Sequence, residues 1–188
     1  GDHRDLHSFP TRRSSDLMIR EHAAEWHVDP DAIAVIGFSA GGHLAANLAT
    51  STSDDVLVAH GYDPDAVRPN GLMLAYPVIT SGPLAHRGSF DSLLGERRND
   101  SQALESVSIE RHIDAKTPPV FAWHTVPDET VPYENTLMLI DACKKAGVSI
   151  EAHLFPQGGH GLSLGTAETA WQGVNGIEPS IQIWPQLA

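Results

Sequence analysis

Ile33-Ala34-Val35-Ile36-Gly37-Phe38 runs without a break into Ser39-Ala40-Gly41-Gly42-His43-Leu44-Ala45, and this stretch decides the fold. Its first part is a short continuous apolar run, the pattern of a central strand buried on both sides in a parallel sheet. Its second part is dominated by small residues and predicts a helix over Ala40 to Thr50. At the junction lies Gly37-Phe38-Ser39-Ala40-Gly41, a G-x-S-x-G pentapeptide. The pattern alone is common by chance, but at the end of a strand and the start of a helix it falls where a nucleophile elbow must sit. A serine in that strained turn has its hydroxyl pushed clear of the backbone. Side chains two positions before and after are expected to collide with the turn or its neighbours, which accounts for glycine at both. The helix start behind the serine offers amide N–H groups and the positive end of a dipole to a developing oxyanion. The competing reading is a glycine-rich strand-to-helix turn with an incidental serine.

Outward from this junction the pattern alternates strands with helices, which predicts a mainly parallel sheet flanked by helices on both faces. Leu72 to Tyr76 reads as a second strand, entered through the turn Pro69-Asn70-Gly71. Val120 to His124 reads as a third, started by Pro118-Pro119, and Ile150 to Leu154 alternates as a fourth, nearer the sheet edge. Asn135 to Ala146 is an expected helix with Leu139, Ala142, Cys143 and Ala146 on one face, and Gly147 can stop it. Between Val78 and Pro119 lies a long polar connection with helical fragments around Leu93-Leu94 and Gln102 to Val107, of the kind that forms lids or substrate-facing loops. Pro179 could open a last helix carrying Ile181, Trp184 and Leu187.

A serine hydroxyl needs a base, and neutral imidazole is suited to that role near neutral pH. The candidates after Ser39 are His43, His60, His86, His112, His124, His153 and His160. His160 lies in Gln157-Gly158-Gly159-His160-Gly161, a flexible loop just after the fourth strand, on the sheet edge where open parallel sheets bind ligands. His153 falls within that strand, His43 sits on the helix behind the serine in a structural position, and His60, His86 and His112 lie in or beside loops with no strand end to place them. His124 ends the third strand and could line the pocket. A carboxylate must orient the base, and Asp128 and Glu129 both follow the third strand as candidates.

The N-terminal stretch Gly1 to Leu17, GDHRDLHSFPTRRSSDL, has no period and no apolar face. Back-translated, it matches a short-read sequencing adapter codon by codon, so residues 1–17 read as a non-native, disordered segment and 18–188 as the domain. Ile19, Ala23 and Trp26 then repeat like the buried face of a helix that Asp29-Pro30 breaks. Met18 therefore reads as internal, and the natural chain is expected to extend further at both ends.

The 188 residues carry 12 Lys plus Arg against 24 Asp plus Glu, a net charge of -12. That excess of carboxylates repels phosphate backbones and anionic lipid surfaces, so nucleic acid and membrane are not expected partners. The single Cys143 excludes an internal disulfide framework and a multi-cysteine metal site, and no apolar run reaches bilayer-spanning length. No metal or cofactor is expected.

Four segments together resemble the acetyl-esterase and xylanase-associated esterase branch of the α/β hydrolases. They are Gly37 to Ala45, Leu74-Ala75-Tyr76-Pro77-Val78-Ile79-Thr80, Trp123-His124-Thr125 with Asp128-Glu129-Thr130-Val131-Pro132, and Phe155-Pro156-Gln157-Gly158-Gly159-His160-Gly161-Leu162. The resemblance extends over nearly everything from Ile19 to Ala188, including His86-Arg87-Gly88-Ser89 and Leu93-Leu94-Gly95. It implies the C-terminal part of an α/β-hydrolase fold, with N-terminal strands missing and the family order Ser, Asp, His. It implies Ser39 as nucleophile, Asp128 rather than Glu129 as orienting acid, His160 as base and then acid, and the backbone N–H of Ala40 as an oxyanion donor. The implied substrate is a small-molecule ester or an acetylated carbohydrate. A prolyl-oligopeptidase-like serine peptidase shares the residue order, and a non-catalytic product is the remaining alternative. The family's second oxyanion donor comes from an HGGG-like loop that this sequence lacks, so the chain as written is expected to be inactive or barely soluble.

Overall fold

The computed structural model describes residues 17–50, 54–59, 61–171 and 175–188. The adapter-like stretch, apart from Leu17, and His60 lie outside the described residues. Strands β1 (Ala34–Phe38), β2 (Gly71–Ala75), β3 (Val120–Thr125) and β4 (Ile150–Phe155) form one sheet in that spatial order. All pairings are parallel, with Phe38 opposite Ala75, Ala75 opposite Trp123, and Thr125 opposite Phe155. The C-terminal ends of the strands therefore lie along one edge.

The helices that bear on the site are α1 (Ala40–Ala49), α2 (Arg87–Leu94) and α3 (Ser101–Ser106) in the β2–β3 connection, α4 (Glu134–Ala146) between β3 and β4, and α5 (Trp184–Leu187). Side chains alternate across each strand, so the continuous apolar runs feed two cores. Leu72, Leu74, Val120 and Ala122 pack with Ala45, Ala46 and Ala49 of α1 and with Leu139 and Cys143 of α4. On the opposite face Ala75, Phe121 and Trp123 meet Tyr76, Leu162, Ile181 and Trp184. The small residues of α1 let that helix lie close against β1 and β2. Gly147, at φ 74, ends α4 in the left-handed conformation that a C-terminal cap requires.

The architecture agrees with a parallel sheet flanked by helices and differs from the expected detail at β1, at Trp26 and in the 78–119 connection. β1 is an edge strand of this sheet among the described residues, and Ile36 at its middle is 44% exposed. The strand buried at every position is β3. The aromatic face is covered by a turn of 3-10 helix (Pro179–Ile181), short α5 and the Leu162 loop. Trp26 is exposed, stacked on His22, while Ala23 is buried. The 78–119 connection is packed into the body: Val78, Ile79, Phe90 and Ile109 are all fully buried. Asn135 pins its start, accepting from the N–H groups of Ile79 and Thr80 and donating to Leu84 and Pro132 carbonyls.

Candidate active site

Ser39 follows β1 with φ 54 and ψ −123, outside the regions a non-glycine residue normally occupies. Such a conformation costs about 1–3 kcal/mol and persists only where its surroundings over-determine it. Here the Ser39 N–H donates to Ala75 O at 3.0 Å, and its carbonyl accepts from the N–H groups of Gly42, His43 and Val78. A Cβ on Gly37 would sit 2.3 Å from the Gly41 carbonyl oxygen, and one on Gly42 would sit 3.0 Å from Pro77 Cβ. At Gly41 a Cβ would meet nothing within 4 Å, which corrects the expectation for that position. It is the carbonyl of Gly41 that crowds Gly37. The steric requirement of the turn at Ser39 therefore falls on Gly37 and Gly42. Ala40 opens α1, so its N–H has no acceptor within the helix.

The structure brings Ser39, His160 and Asp128 together. Ser39 Oγ is 2.7 Å from His160 Nε2, and His160 Nδ1 is 2.6 Å from Asp128 Oδ2. A carboxylate only accepts, so Nδ1 carries the ring proton and Nε2 is left to accept from the serine hydroxyl. Glycines shape the loop that carries His160: Gly158 has φ 102 and Gly161 φ 77. Thr125 Oγ1, at the end of β3, donates to Gly159 O and ties the loop to the sheet. The Tyr76 ring stands edge-on to the imidazole at 4.9 Å, and its hydroxyl accepts from the Ser163 N–H. Burial pushes the Tyr76 phenol up, the Ser163 N–H opposes this, and the Asp128 charge adds to it. The Trp184 indole donates to Ser163 O, so the aromatic core braces the same loop.

Asp128 sits in the turn after β3 with its side chain fully buried. Oδ1 accepts from the Thr130 and Val131 N–H groups at 2.9 Å each. Burial pushes this carboxyl up, but hydrogen bonds from His124, His160 and the Val131 N–H outweigh it and hold the group well below the ordinary carboxylate range. Glu129 next to it is exposed.

The remaining histidines are placed elsewhere. His43 is buried on α1, its Nε2 donating to Val107 O at 2.8 Å and its ring edge-on to Phe90; burial holds its imidazole below the ordinary value, against that hydrogen bond and the Glu110 charge. His153 pairs with exposed Glu151, and His86 Nδ1 bonds Ser89 Oγ. His112 Nε2 lies 3.4 Å from Glu105 O. His124 does not line the pocket: it is fully buried, against Asp128, Val131 and Thr136. Sequence reasoning missed that contact, although the spacing of His124 and Asp128 across one strand-end turn was available as a signal. Cys143 is buried between α4 and the sheet, where burial pushes its thiol up to about 11.

A cavity of about 330 Å³ opens beside Ala40, between α1 and α2, walled by Leu44, Phe90, Leu93 and Val107 with His43 and Ser89 at its sides. Among the described residues no cluster of three His, Cys, Asp or Glu side chains could hold a metal ion, and no helix is long and apolar enough to cross a membrane.

Comparison with known proteins gives a consistent set of matches. The family model BD-FAE matches residues 17–142. An endo-1,4-beta-xylanase B of Butyrivibrio fibrisolvens is 34% identical over 172 residues, which are 89% of this chain and 27% of that protein. An acetylxylan esterase of Xylanibacter ruminicola is 30% identical over 79% of this chain and 30% of its own length. The chain thus spans less than a third of these two curated relatives. Among solved structures, an acetyl ester-xyloside bifunctional hydrolase from Caldicellulosiruptor lactoaceticus superposes with a TM-score of 0.74 at 35% identity, covering 93% of this chain and 61% of that one. The four-stranded sheet and its helices are part of an α/β-hydrolase fold.

Proposed function

The chain belongs to the BD-FAE family, and on that premise we propose that it carries the reactive centre of a serine carboxylic-ester hydrolase. The observation that carries this reading is the 2.7 Å contact of Ser39 Oγ with His160 Nε2 at a serine whose φ is 54. Ser39 Oγ attacks the ester carbonyl carbon while its proton passes to His160 Nε2. Asp128, bonded to Nδ1–H, keeps the ring in the accepting tautomer and stabilises the imidazolium that forms. The Ala40 N–H donates to the oxyanion of the tetrahedral intermediate. As that intermediate collapses, His160 gives its proton to the departing alkoxide, and the alcohol leaves. Water, deprotonated by the same imidazole, then attacks the acyl-serine and frees the acid, restoring Ser39. No metal or cofactor enters any step.

The names of the relatives support an acetyl or other short acyl group on a carbohydrate hydroxyl or a simple alcohol as substrate. The HGGG-like loop expected to give the second oxyanion donor is not in the 188 residues. Turnover by this chain alone is therefore expected to lie about 10²–10³-fold below that of a protein that supplies one.

Fluorophosphonate labelling tests the reading. In a protein that joins this sequence to a second oxyanion donor, mass spectrometry should find one adduct on Ser39, and Ser39→Ala should abolish it. A folded protein left unmodified at Ser39 would overturn the proposal. Paired model substrates sharing one acyl group then separate ester from peptide chemistry, with alcohol released and amine retained as the expected result.

A further inference from the structure

The carboxylate oxygen that orients His160 has a second imidazole on it. His124 Nε2 lies 3.2 Å from Asp128 Oδ2 and 3.0 Å from Val131 O, while its Nδ1 lies 2.8 Å from Thr136 Oγ1. A carbonyl and a carboxylate can only accept, so Nε2 carries the proton and is shared between them, and Nδ1 accepts from the Thr136 hydroxyl. Every hydrogen-bonding atom of this ring is used, and the ring is fully buried. We propose that His124 is a positioning residue of the site: its Nε2–H fixes Asp128 Oδ2 in the plane that meets His160 Nδ1, so that the orientation of His160 is inherited from β3 and α4.

The need for such a group follows from the flexibility of the partner. Two backbone N–H groups hold Asp128 Oδ1, but the terminal torsion of a carboxylate is soft, and a small turn that those bonds tolerate still shifts Oδ2. Without His124 the side-chain donor left on Oδ2 among the described residues would be His160, which rides on a loop shaped by Gly158, Gly159 and Gly161. His124 belongs to the central buried strand and Thr136 to the first turn of α4, two rigid elements. Among the described residues, the titratable groups in contact with the Asp128–His160 pair are His124 from β3 and Tyr76 from the end of β2. The Tyr76 hydroxyl is engaged with Ser163, which leaves His124 as the group that meets the carboxylate.

This inference deepens the reading of Ser39, His160 and Asp128 as a triad, and its test reads geometry rather than turnover. In the unmodified chain, proton NMR should show a cross-peak between the His124 Nε2 proton and the His160 Nδ1 proton, since both point at one oxygen. Both protons visible without a cross-peak would overturn the proposal. Two variants then separate positioning from packing. His124→Gln sets an amide donor near the former Nε2, whereas His124→Asn reaches only as far as Nδ1. The His160 Nδ1 proton resonance should move or be lost in the Asn variant and be retained in the Gln variant. An unmoved resonance in a folded Asn variant would overturn the assignment, and should that variant fail to fold, the cross-peak in the unmodified chain decides. Failure of Ser39 labelling would remove the enzyme reading while leaving the ring-proton result standing.

Discussion

At Gly37 and Gly41 the two glycines of one pentapeptide face opposite surroundings. A methyl group on Gly37 would be driven into the backbone of the next turn, where nothing flexible can yield, whereas the same group on Gly41 enters open space. Gly37→Ala should therefore lower stability by about 1–3 kcal/mol through overpacking against fixed backbone. Gly41→Ala, within α1, should be neutral or stabilising by up to about 1 kcal/mol, because alanine loses less backbone entropy than glycine on entering a helix. Urea midpoints of the two variants check this, and equal losses would contradict it. Strain at Ser39 belongs to the same scale, since its φ of 54 is held by hydrogen bonds from β2, α1 and the segment after β2.

Among the elements, β1 stands apart. Among the described residues it pairs with β2 on one side only, and Ile36 is exposed, while Phe38 further along the same face is covered by Tyr76 and Trp184. An unpaired apolar edge templates association with other chains, and lysine on an edge strand opposes it. Ile36→Lys should reduce self-association of the chain, measured by light scattering across a concentration series, with a stability change of about 0.5 kcal/mol or less, as for an exposed position. Unchanged association would mean that another surface drives it. The strand's place in the sheet was not legible in its residues, because an apolar run reports that a strand wants both faces covered and says nothing of whether they are. The packing of the 78–119 connection was hidden for a related reason: Phe90 and Ile109 are isolated apolar residues in polar sequence, and their burial depends on partners far along the chain.

Across the whole molecule, stability should depend on pH through two buried groups. His43 has its folded-state value lowered from 6.5 by burial, so between that pH and its lowered value the unfolded chain binds a proton that the native chain does not. Stability therefore rises with pH through this window and falls on acidification, by at most about 1.4 kcal/mol per pH unit for one group. His43→Gln can still donate to Val107 O but cannot titrate, and it should flatten the slope of denaturation free energy between about pH 7 and 5; an equally steep slope in the variant would refute the assignment. Asp128, held low against its burial by its hydrogen-bond donors, contributes stability that is present above about pH 4 and lost on further acidification. The sequence by itself determined the strands, the helices that follow β1 and β3, and Ser39, Asp128 and His160 as candidates, because periodicity and the residues at strand ends are local properties of the chain; the short helices Asp54–Ala59 and Pro64–Val67 were not legible in it. Only the tertiary structure decided that β1 lies at an edge, that Gly42 rather than Gly41 is the crowded glycine, and that His124 shares Oδ2 of Asp128. Those outcomes depend on which surfaces meet across the fold, and contacts between β1, the turn after β3 and the loop after β4 are made by packing rather than by neighbourhood in the chain.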